Sequence, residues 1–139
     1  MSTVDCIFCK IVSGQIPCYR IAETADELAF LDINPIACGH MLVVSKSHVE
    51  SLHLAPTEVV ASMAGLAARL ARAAVKGLQC DGVNLLLNSG PVAGQIIPHL
   101  HLHVIPRFVD DHVRIPWPHT PLDTQAAPRL IEAITAHFI

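Results

Sequence analysis

The sequence has little charge, and the small excess is acidic. Charged residues make up 15% of the 139 residues, hydrophobic residues make up 52%, and the formal net charge is -3. Disordered chains are polar and highly charged, so this chain is expected to fold, and its length predicts a single domain over residues 1–139. It also lacks the basic excess that collects nucleic acid, so we expect no nucleic-acid partner.

Long apolar runs are missing as well. Mean hydropathy is high at +0.47, yet no stretch approaches the roughly 18 to 20 apolar residues of a membrane span. The first residues contain Asp5 and lack a basic start followed by an apolar block, so they do not resemble a secretory signal. Five cysteines are an odd number and favour reduced thiols or metal ligands over a full disulfide framework. We therefore expect a cytoplasmic protein with no membrane partner.

Glycines and prolines divide most of the chain into segments of strand length. The exception runs from Thr57 to about Gln79, where apolar residues recur at helical spacing without a proline. With short helices at 7–12 and about 126–138, the pattern predicts an α+β fold on a mostly antiparallel sheet of about five strands. The predicted strands are Tyr19–Glu23, Leu28–Asp32, His40–Ser45, Val83–Asn88 and His99–Ile105.

Histidine is abundant, with nine residues, and three of them alternate with apolar residues in the segment 99–105, HLHLHVI. In a strand this alternation puts the three imidazoles on one face and the apolar residues in the core. Neighbouring Cα atoms on that face are about 6.5 to 7 Å apart. One imidazole can therefore attack a phosphorus while the next hydrogen-bonds a phosphate oxygen or the leaving group. Histidines at i and i+2 can also share a zinc ion that activates water. The spacing alone does not distinguish a nucleophilic histidine from a zinc site.

The loop that precedes this strand has features of an anion-binding segment. Residues 88–95, NSGPVAGQ, contain two glycines, which let backbone N–H groups approach a phosphate closely. Gln95 adds a neutral hydrogen-bond donor. Such a loop alone is usually an ordinary turn, but beside three aligned histidines it predicts a phosphate cradle.

Cys6 and Cys9 have the Cys-x-x-Cys spacing that lets two thiolates bind one metal ion. Two further ligands are needed, and His48 and His99 are candidates. A thioredoxin-like redox pair usually lies near a β-α-β pattern, whereas this motif precedes every predicted strand. Zinc ligation, a redox pair and an incidental pair all remain possible from the spacing.

Taken together, these residues resemble the histidine triad (HIT) family, whose signature is His-φ-His-φ-His-φ-φ with φ apolar. Every position from His99 to Ile105 matches, and the likeness extends over about residues 5–108, which leaves 109–139 as a tail with a C-terminal helix. The short chain and the N-terminal Cys-x-x-Cys are similar to the bacterial-type Hint branch. The other matching segments are Cys6 to Ile11, Ala29 to Ile33, Gly39-His40 before Leu42 to Val44, His48, Asn88 and Gly94-Gln95.

The resemblance implies an enzyme that binds a purine nucleotide or nucleotide conjugate and hydrolyses nucleoside 5'-phosphoramidates or related anhydrides. His101 would attack the α-phosphorus and form a nucleotidyl-histidine that water later releases, and His103 would contact phosphate oxygens. The other implied nucleotide-binding residues are Asp32 for the ribose, Ile33 for the base, His40 beside the triad, and Asn88, Gly94 and Gln95 for the phosphate.

The resemblance also implies a structural zinc ion and a homodimer. Cys6, Cys9, His48 and His99 match the ligands of zinc-bearing relatives and form a closed Cys₂His₂ set. Ile96 departs from the family pattern, because many Hint-type members carry serine there. A Fhit-like dinucleoside polyphosphate hydrolase and a non-enzymatic nucleotide sensor or scaffold are the alternative functions.

Overall fold

A five-stranded antiparallel sheet is the centre of the computed structural model, which describes residues 3–114 and 117–138. The strand order is β1-β2-β3-β5-β4, and every neighbouring pair is antiparallel. The predicted 1–139 domain also contains residues 1–2, 115–116 and 139, which lie outside the described residues. The elements are α1 (Ile7–Val12), β1 (Arg20–Glu23), β2 (Glu27–Leu31), β3 (Met41–Ser45), α2 (Thr57–Leu78), β4 (Gly82–Leu86), β5 (His101–Arg107) and α3 (Ala127–Thr135).

This architecture confirms the predicted α+β fold with one long helix and short terminal helices. α2 covers one face of the sheet, because its apolar residues recur every three or four positions and form a single stripe. It ends where Gln79 adopts a left-handed conformation with φ of 55°. Among the described residues, no helix is long and apolar enough to span a membrane. The buried residues of α2 are Met63, Leu66, Ala67, Leu70 and Ala74.

α1 lies in a second apolar cluster, which covers the other face of the sheet. Phe8 and Ile11 of α1 pack there with Leu28, Phe30 and Leu42. Side chains alternate between the two faces of a strand, and directly opposite residues of neighbouring strands share a face. Leu42 is paired with His103 in the sheet register, so the histidines of β5 face the side of α1. This position confirms the predicted separation of histidine and apolar faces.

The boundaries of all five strands differ from the sequence prediction by one or two residues, most in β4 and β5, and β5 ends two residues later than predicted, at Arg107. β5 begins at His101 and not at His99, because the backbone before it bonds to loops: the His99 N–H donates to Ile97 and the Leu100 N–H donates to Val49. β4 ends at Leu86, two residues before the predicted end. The residues around the histidine strand therefore belong to loops, where side chains have more directions available.

Candidate active site and metal centre

A hydrogen bond to the segment just before β5 holds His101 in one tautomer. Its Nδ1 lies 2.6 Å from the backbone carbonyl oxygen of His99, and a carbonyl only accepts hydrogen bonds, so Nδ1 carries the proton. The lone pair is then on Nε2. Burial lowers the pKa of His101, which keeps the ring neutral near pH 7. A neutral imidazole with a free Nε2 lone pair is a competent nucleophile.

A chain of hydrogen bonds fixes His103 through His40. The backbone N–H of Ile36 donates to His40 Nδ1 over 3.1 Å, so His40 in its neutral form carries its proton on Nε2. That Nε2 lies 2.9 Å from His103 Nδ1 and donates to it. His103 then has its own proton on Nε2. Burial is the main cause that lowers the pKa of His103 to about 4, and it also lowers the pKa of His40.

The turn before His40 depends on a glycine. Gly39 has φ of +79°, and a Cβ added there would come within 2.5 Å of Leu78 Cδ1 at the end of α2. Glycine is the residue that adopts this conformation without strain and leaves room for the helix. The turn therefore sets the position of His40, which is 2% exposed.

Asp32 lies at the end of β2, close to the histidines. Its Oδ1 accepts the backbone N–H of Asn34 over 2.8 Å, and its Oδ2 is 3.6 Å from His40 Nε2. Ile33, the predicted base contact, is 77% exposed. The carboxylate is thus oriented beside the histidine chain, with an apolar side chain next to it in sequence.

The alternative metal site, in which two histidines of the row share a zinc ion, is not among the groups of three or more possible ligands in the described chain. The second group of possible ligands is instead Asp32, His40 and His103, whose ligand atoms lie within 4.8 Å of one another. Both ring nitrogens of His40 are engaged, one by Ile36 and the other by His103. These hydrogen bonds favour a proton-ordered histidine pair over a metal at this position.

The predicted phosphate loop folds beside the histidine strand, with Gly90 and Gly94 at φ of 91° and 92°. Asn88 donates its Nδ2 to the Gly94 carbonyl over 3.4 Å. Gln95 makes three hydrogen bonds within the protein. Its Nε2 donates to the carbonyls of Glu50 and Ile97, and its Oε1 accepts the Gly90 N–H. In this conformation the Gln95 amide holds the loop together and does not point a free donor at a phosphate.

The four predicted metal ligands converge at the start of α1. The ligand atoms of Cys6, Cys9, His48 and His99 all lie within 4.8 Å of one another. Cys6 Sγ is 3.2 Å from His99 Nδ1, and Cys9 Sγ is 3.3 Å from His48 Nδ1 and 3.6 Å from His99 Nδ1. In a tetrahedral zinc site, bond lengths near 2.3 and 2.0 Å put sulfur and nitrogen about 3.5 Å apart. The spacing of these donors fits zinc.

The surroundings of this cluster also fit a metal. His99 Nε2 is 2.7 Å from the Ser45 carbonyl oxygen, so the proton is on Nε2 and the Nδ1 lone pair faces the thiols. Burial, with a further contribution from Cys6, raises the pKa of the Cys9 thiol to about 11. Two neighbouring thiolates are therefore unfavourable here unless a cation neutralises them.

Phe8 connects the two clusters and was not predicted as a site residue. Its ring makes edge contacts with His99 and His101, at centroid distances of 5.7 and 5.1 Å. The sequence signal was its position inside the Cys-x-x-Cys motif. Ile36 was also missed, and its backbone N–H has no sequence signal because any residue supplies one.

Comparison with known proteins places this architecture in a family. The sequence model of the HIT domain matches residues 13–110. The adenosine 5'-monophosphoramidase hnt1 of Schizosaccharomyces pombe is 37% identical over 134 residues, which cover 96% of this chain and 98% of that protein. The adenylylsulfatase HINT3 of Arabidopsis thaliana is 44% identical over 103 residues, or 74% of this chain, and the match spans about half of it, 52%.

A solved structure agrees with the sequence matches. The Zn-bound histidine triad family protein of Mycobacterium smegmatis superposes with a TM-score of 0.79 at 41% identity, over 97% of this chain and 96% of that one. The fold, the sequence identity and the matched domain model therefore agree on the family. This chain belongs to the histidine triad (HIT) family.

Proposed function

We propose that this protein is a hydrolase that cleaves nucleoside 5'-phosphoramidates or related nucleotide anhydrides through a covalent nucleotidyl-histidine. The observation that carries the proposal is the hydrogen bond from His101 Nδ1 to the His99 carbonyl oxygen, which leaves Nε2 as a nucleophile. The names of the relatives in fission yeast and Arabidopsis, a phosphoramidase and an adenylylsulfatase, support the same reaction class.

In the proposed reaction His101 Nε2 bonds to the α-phosphorus as the bond from phosphorus to the leaving group breaks. The positive charge that develops on the ring is stabilised by the His99 carbonyl at Nδ1. His103 supplies a hydrogen-bond donor at Nε2 for a phosphate oxygen, since its Nδ1 accepts from His40. Water then attacks the nucleotidyl-histidine, which releases the nucleoside monophosphate and restores His101.

The nucleotide is proposed to lie along the loops around this strand. Asp32 is assigned to the ribose hydroxyls and Ile33 to the base, because the two residues follow β2 beside His40. Asn88 and the backbone near Gly94 are assigned to phosphate oxygens. Gln95 keeps its assignment to the phosphate site, in which it acts by holding the loop in shape.

Zinc is proposed as the metal of the Cys₂His₂ cluster. Cys6, Cys9, His48 and His99 would hold it with all four positions filled, so its contribution is to cross-link the N-terminus to the histidine strand and not to activate water. The Zn-bound relative of Mycobacterium smegmatis supports this choice of metal. Five cysteines without a disulfide are consistent with a reducing compartment, and we propose the cytoplasm.

A homodimer is proposed as the working state. β4 is an edge strand, and Leu85 on it and Val75 on α2 are 53% and 47% exposed. Exposed edge strands and apolar helix residues are surfaces that a second copy can cover. Sedimentation at micromolar concentration should give twice the 15.0 kDa chain mass.

Mass spectrometry of the intact protein tests the proposed function directly. A sample quenched rapidly after mixing with adenosine 5'-phosphoramidate should gain the mass of one nucleotidyl group, and the adduct should map to His101. Parallel turnover assays with diadenosine tetraphosphate separate the phosphoramidase from a dinucleoside polyphosphate hydrolase. Nucleotide binding without turnover or adduct would instead indicate a sensor.

A further inference from the structure

The phosphate loop, residues 88–95, is tied together from within. The backbone N–H of Gly90 donates to Gln95 Oε1 over 2.8 Å, and the backbone N–H of Gln95 donates to the Gly90 carbonyl over 3.1 Å. Asn88 Nδ2 donates to the Gly94 carbonyl over 3.4 Å. A loop that is closed by its own hydrogen bonds keeps its shape, so its contacts with the rest of the chain determine where its donors lie.

Two side chains of this loop reach the same short segment, which lies between β3 and α2. Gln95 Nε2 donates to the Glu50 carbonyl over 2.6 Å. At the other end of the loop, Ser89 Oγ accepts the backbone N–H of Leu52 over 3.1 Å. The same Oγ lies 3.3 Å from His53 Nδ1. Both ends of the loop are therefore fastened to one segment of the chain.

This segment is also fastened to the histidine strand. Leu100 donates its backbone N–H to the Val49 carbonyl over 2.7 Å, and Leu100 directly precedes His101. Residues 49–53 thus form a brace that contacts the phosphate loop on one side and the start of β5 on the other. A nucleophile reacts efficiently only when the reacting atoms are held about 3 to 3.5 Å apart. The brace is placed to set the distance between a bound phosphate and His101.

The junction between brace and loop is a small hydrogen-bond cluster around His53. A hydroxyl offers one donor and two acceptor positions. Ser89 Oγ accepts the Leu52 N–H, so its own hydrogen can be donated to His53 Nδ1. Ser51 Oγ lies 3.4 Å from the same nitrogen, and Ser51 is 5% exposed. His53 Nδ1 therefore lies between one hydroxyl of the brace and one of the loop, apart from both clusters of possible metal ligands.

We propose that Ser89 and His53 are positioning residues of the candidate active site, which hold the phosphate loop at the working distance from His101. Neither of them is assigned a contact with the substrate. Ser89 directly follows Asn88, which is assigned to a phosphate oxygen, so a shift of Ser89 moves that donor. The inference rests on the proposed function, in which this loop binds phosphate, and adds the two side chains that determine where the loop lies.

Two ligands that differ by one phosphate test the brace. Adenosine 5'-monophosphate (AMP) reaches the loop, whereas adenosine has only the ribose and the base, which are assigned to Asp32 and Ile33. In calorimetric titrations Ser89→Ala should lower AMP affinity about fivefold and keep adenosine affinity within about twofold, because two hydrogen bonds to the loop are lost. The matched control is Ser13→Ala, which removes an exposed hydroxyl bonded to the Lys10 carbonyl and should change neither affinity. Equal losses for both ligands, unchanged AMP affinity, or a wild type that binds AMP no more tightly than adenosine would overturn the proposal.

Variants of His53 test the other half of the contact. His53→Ala should lower AMP affinity about two- to threefold, and His53→Asn, which keeps an amide near the former Nδ1, should restore it. The double variant with Ser89→Ala should bind AMP as Ser89→Ala alone does, because both substitutions remove the same contact. His119→Ala, at an exposed histidine outside the brace, is the control. Losses that add in the double variant, or equal losses in His53→Asn and His53→Ala, would refute the role of His53.

Turnover separates this inference from the proposed chemistry. With adenosine 5'-phosphoramidate, Ser89→Ala should lower kcat about fivefold or more, because displaced donors stabilise the transition state less well. Ser89→Thr, which keeps the hydroxyl, should recover kcat. An unchanged kcat in Ser89→Ala would overturn the positioning role. A wild type that forms no nucleotidyl adduct, but whose AMP and adenosine affinities respond to Ser89→Ala as expected, would contradict the proposed function and leave the brace intact.

Discussion

His99 and His101 are two residues apart in the chain, yet a different ring nitrogen is left unprotonated in each of them. His99 donates Nε2–H to the Ser45 carbonyl and directs Nδ1 at two thiols, whereas His101 donates Nδ1–H to the His99 carbonyl and leaves Nε2 free. Both partners are backbone oxygens, so the tautomer is decided by where a carbonyl lies and not by the residue type. One imidazole becomes a candidate metal ligand and its neighbour a candidate nucleophile.

Removal of the proposed nucleophile, His101, should abolish the function of one of these two imidazoles and leave the other intact. In His101→Ala we expect turnover of a nucleoside phosphoramidate to disappear, while nucleotide affinity stays within about tenfold, because the covalent step is lost and most binding contacts remain. Steady-state assays and calorimetric titration measure the two effects. His119→Ala, an exposed histidine outside both clusters, is the control. A variant that kept a tenth of the turnover would move the nucleophile elsewhere.

Removal of one thiol tests the role of His99 and its neighbours as metal ligands. Cys9→Ser, or chelation of the wild type, should lower the melting temperature by about 5 °C or more, because zinc stabilises only the folded chain. Differential scanning calorimetry with metal analysis measures this. Cys38→Ser, an exposed cysteine outside the cluster, should melt like the wild type. Far less than one zinc per chain in protein purified without chelator would refute the site.

Variants of His40 test the tautomers assigned to the His40–His103 pair. His40→Ala should lower kcat about 10- to 100-fold, because His103 loses the donor that keeps its own proton on Nε2. His40→Gln keeps an N–H donor near the former Nε2 and should recover part of kcat, whereas His40→Asn should not. Equal loss in all three variants, with lowered melting temperatures, would indicate a purely structural role for His40.

The smallest expected effect is on the pH dependence of stability. Burial lowers the pKa of His103 from 6.5 to about 4 in the folded chain. Between these pH values the unfolded chain binds more protons than the folded chain, so the free energy of unfolding rises with pH across that window. Below about pH 4 both states are protonated and the contribution is constant. His103→Gln should show a shallower rise in urea titrations at pH 4.5 to 6.5, and an unchanged slope would contradict the lowered pKa.

Local patterns in the chain predicted much of the fold. Alternation in 99–105 predicted that all three imidazoles share one face of a strand, since side-chain direction in a strand has a period of two. His101 and His103 do so in β5, whereas His99 lies just before the strand. The Cys-x-x-Cys spacing made Cys6 and Cys9 candidate metal ligands, and the family resemblance added support for His48 and His99; the ligand atoms of these four residues lie within 4.8 Å of one another. Helical spacing predicted α2 to within one residue of its end.

Other features followed from long-range contacts that no local pattern encodes. Gln95 was predicted to contact phosphate, but its amide meets the carbonyl of Glu50 only because two distant loops fold together. The edge contacts of Phe8 with His99 and His101 likewise depend on how α1 lies on the sheet.

The amino-acid sequence alone specifies local patterns: imidazoles on one side of β5, two thiols three positions apart at Cys6 and Cys9, and an apolar stripe on α2. The role open to each imidazole depends instead on the folded backbone around it. The Ser45 carbonyl reaches His99 across 54 positions of the chain, and His40 reaches His103 across 63, so these contacts form only after distant strands have packed. The His99 carbonyl and the Ile36 N–H are near their histidines in sequence, but the folded loop and turn direct them at the rings. Backbone groups are the same at every position, so their placement in space, and not their identity, assigns the chemistry.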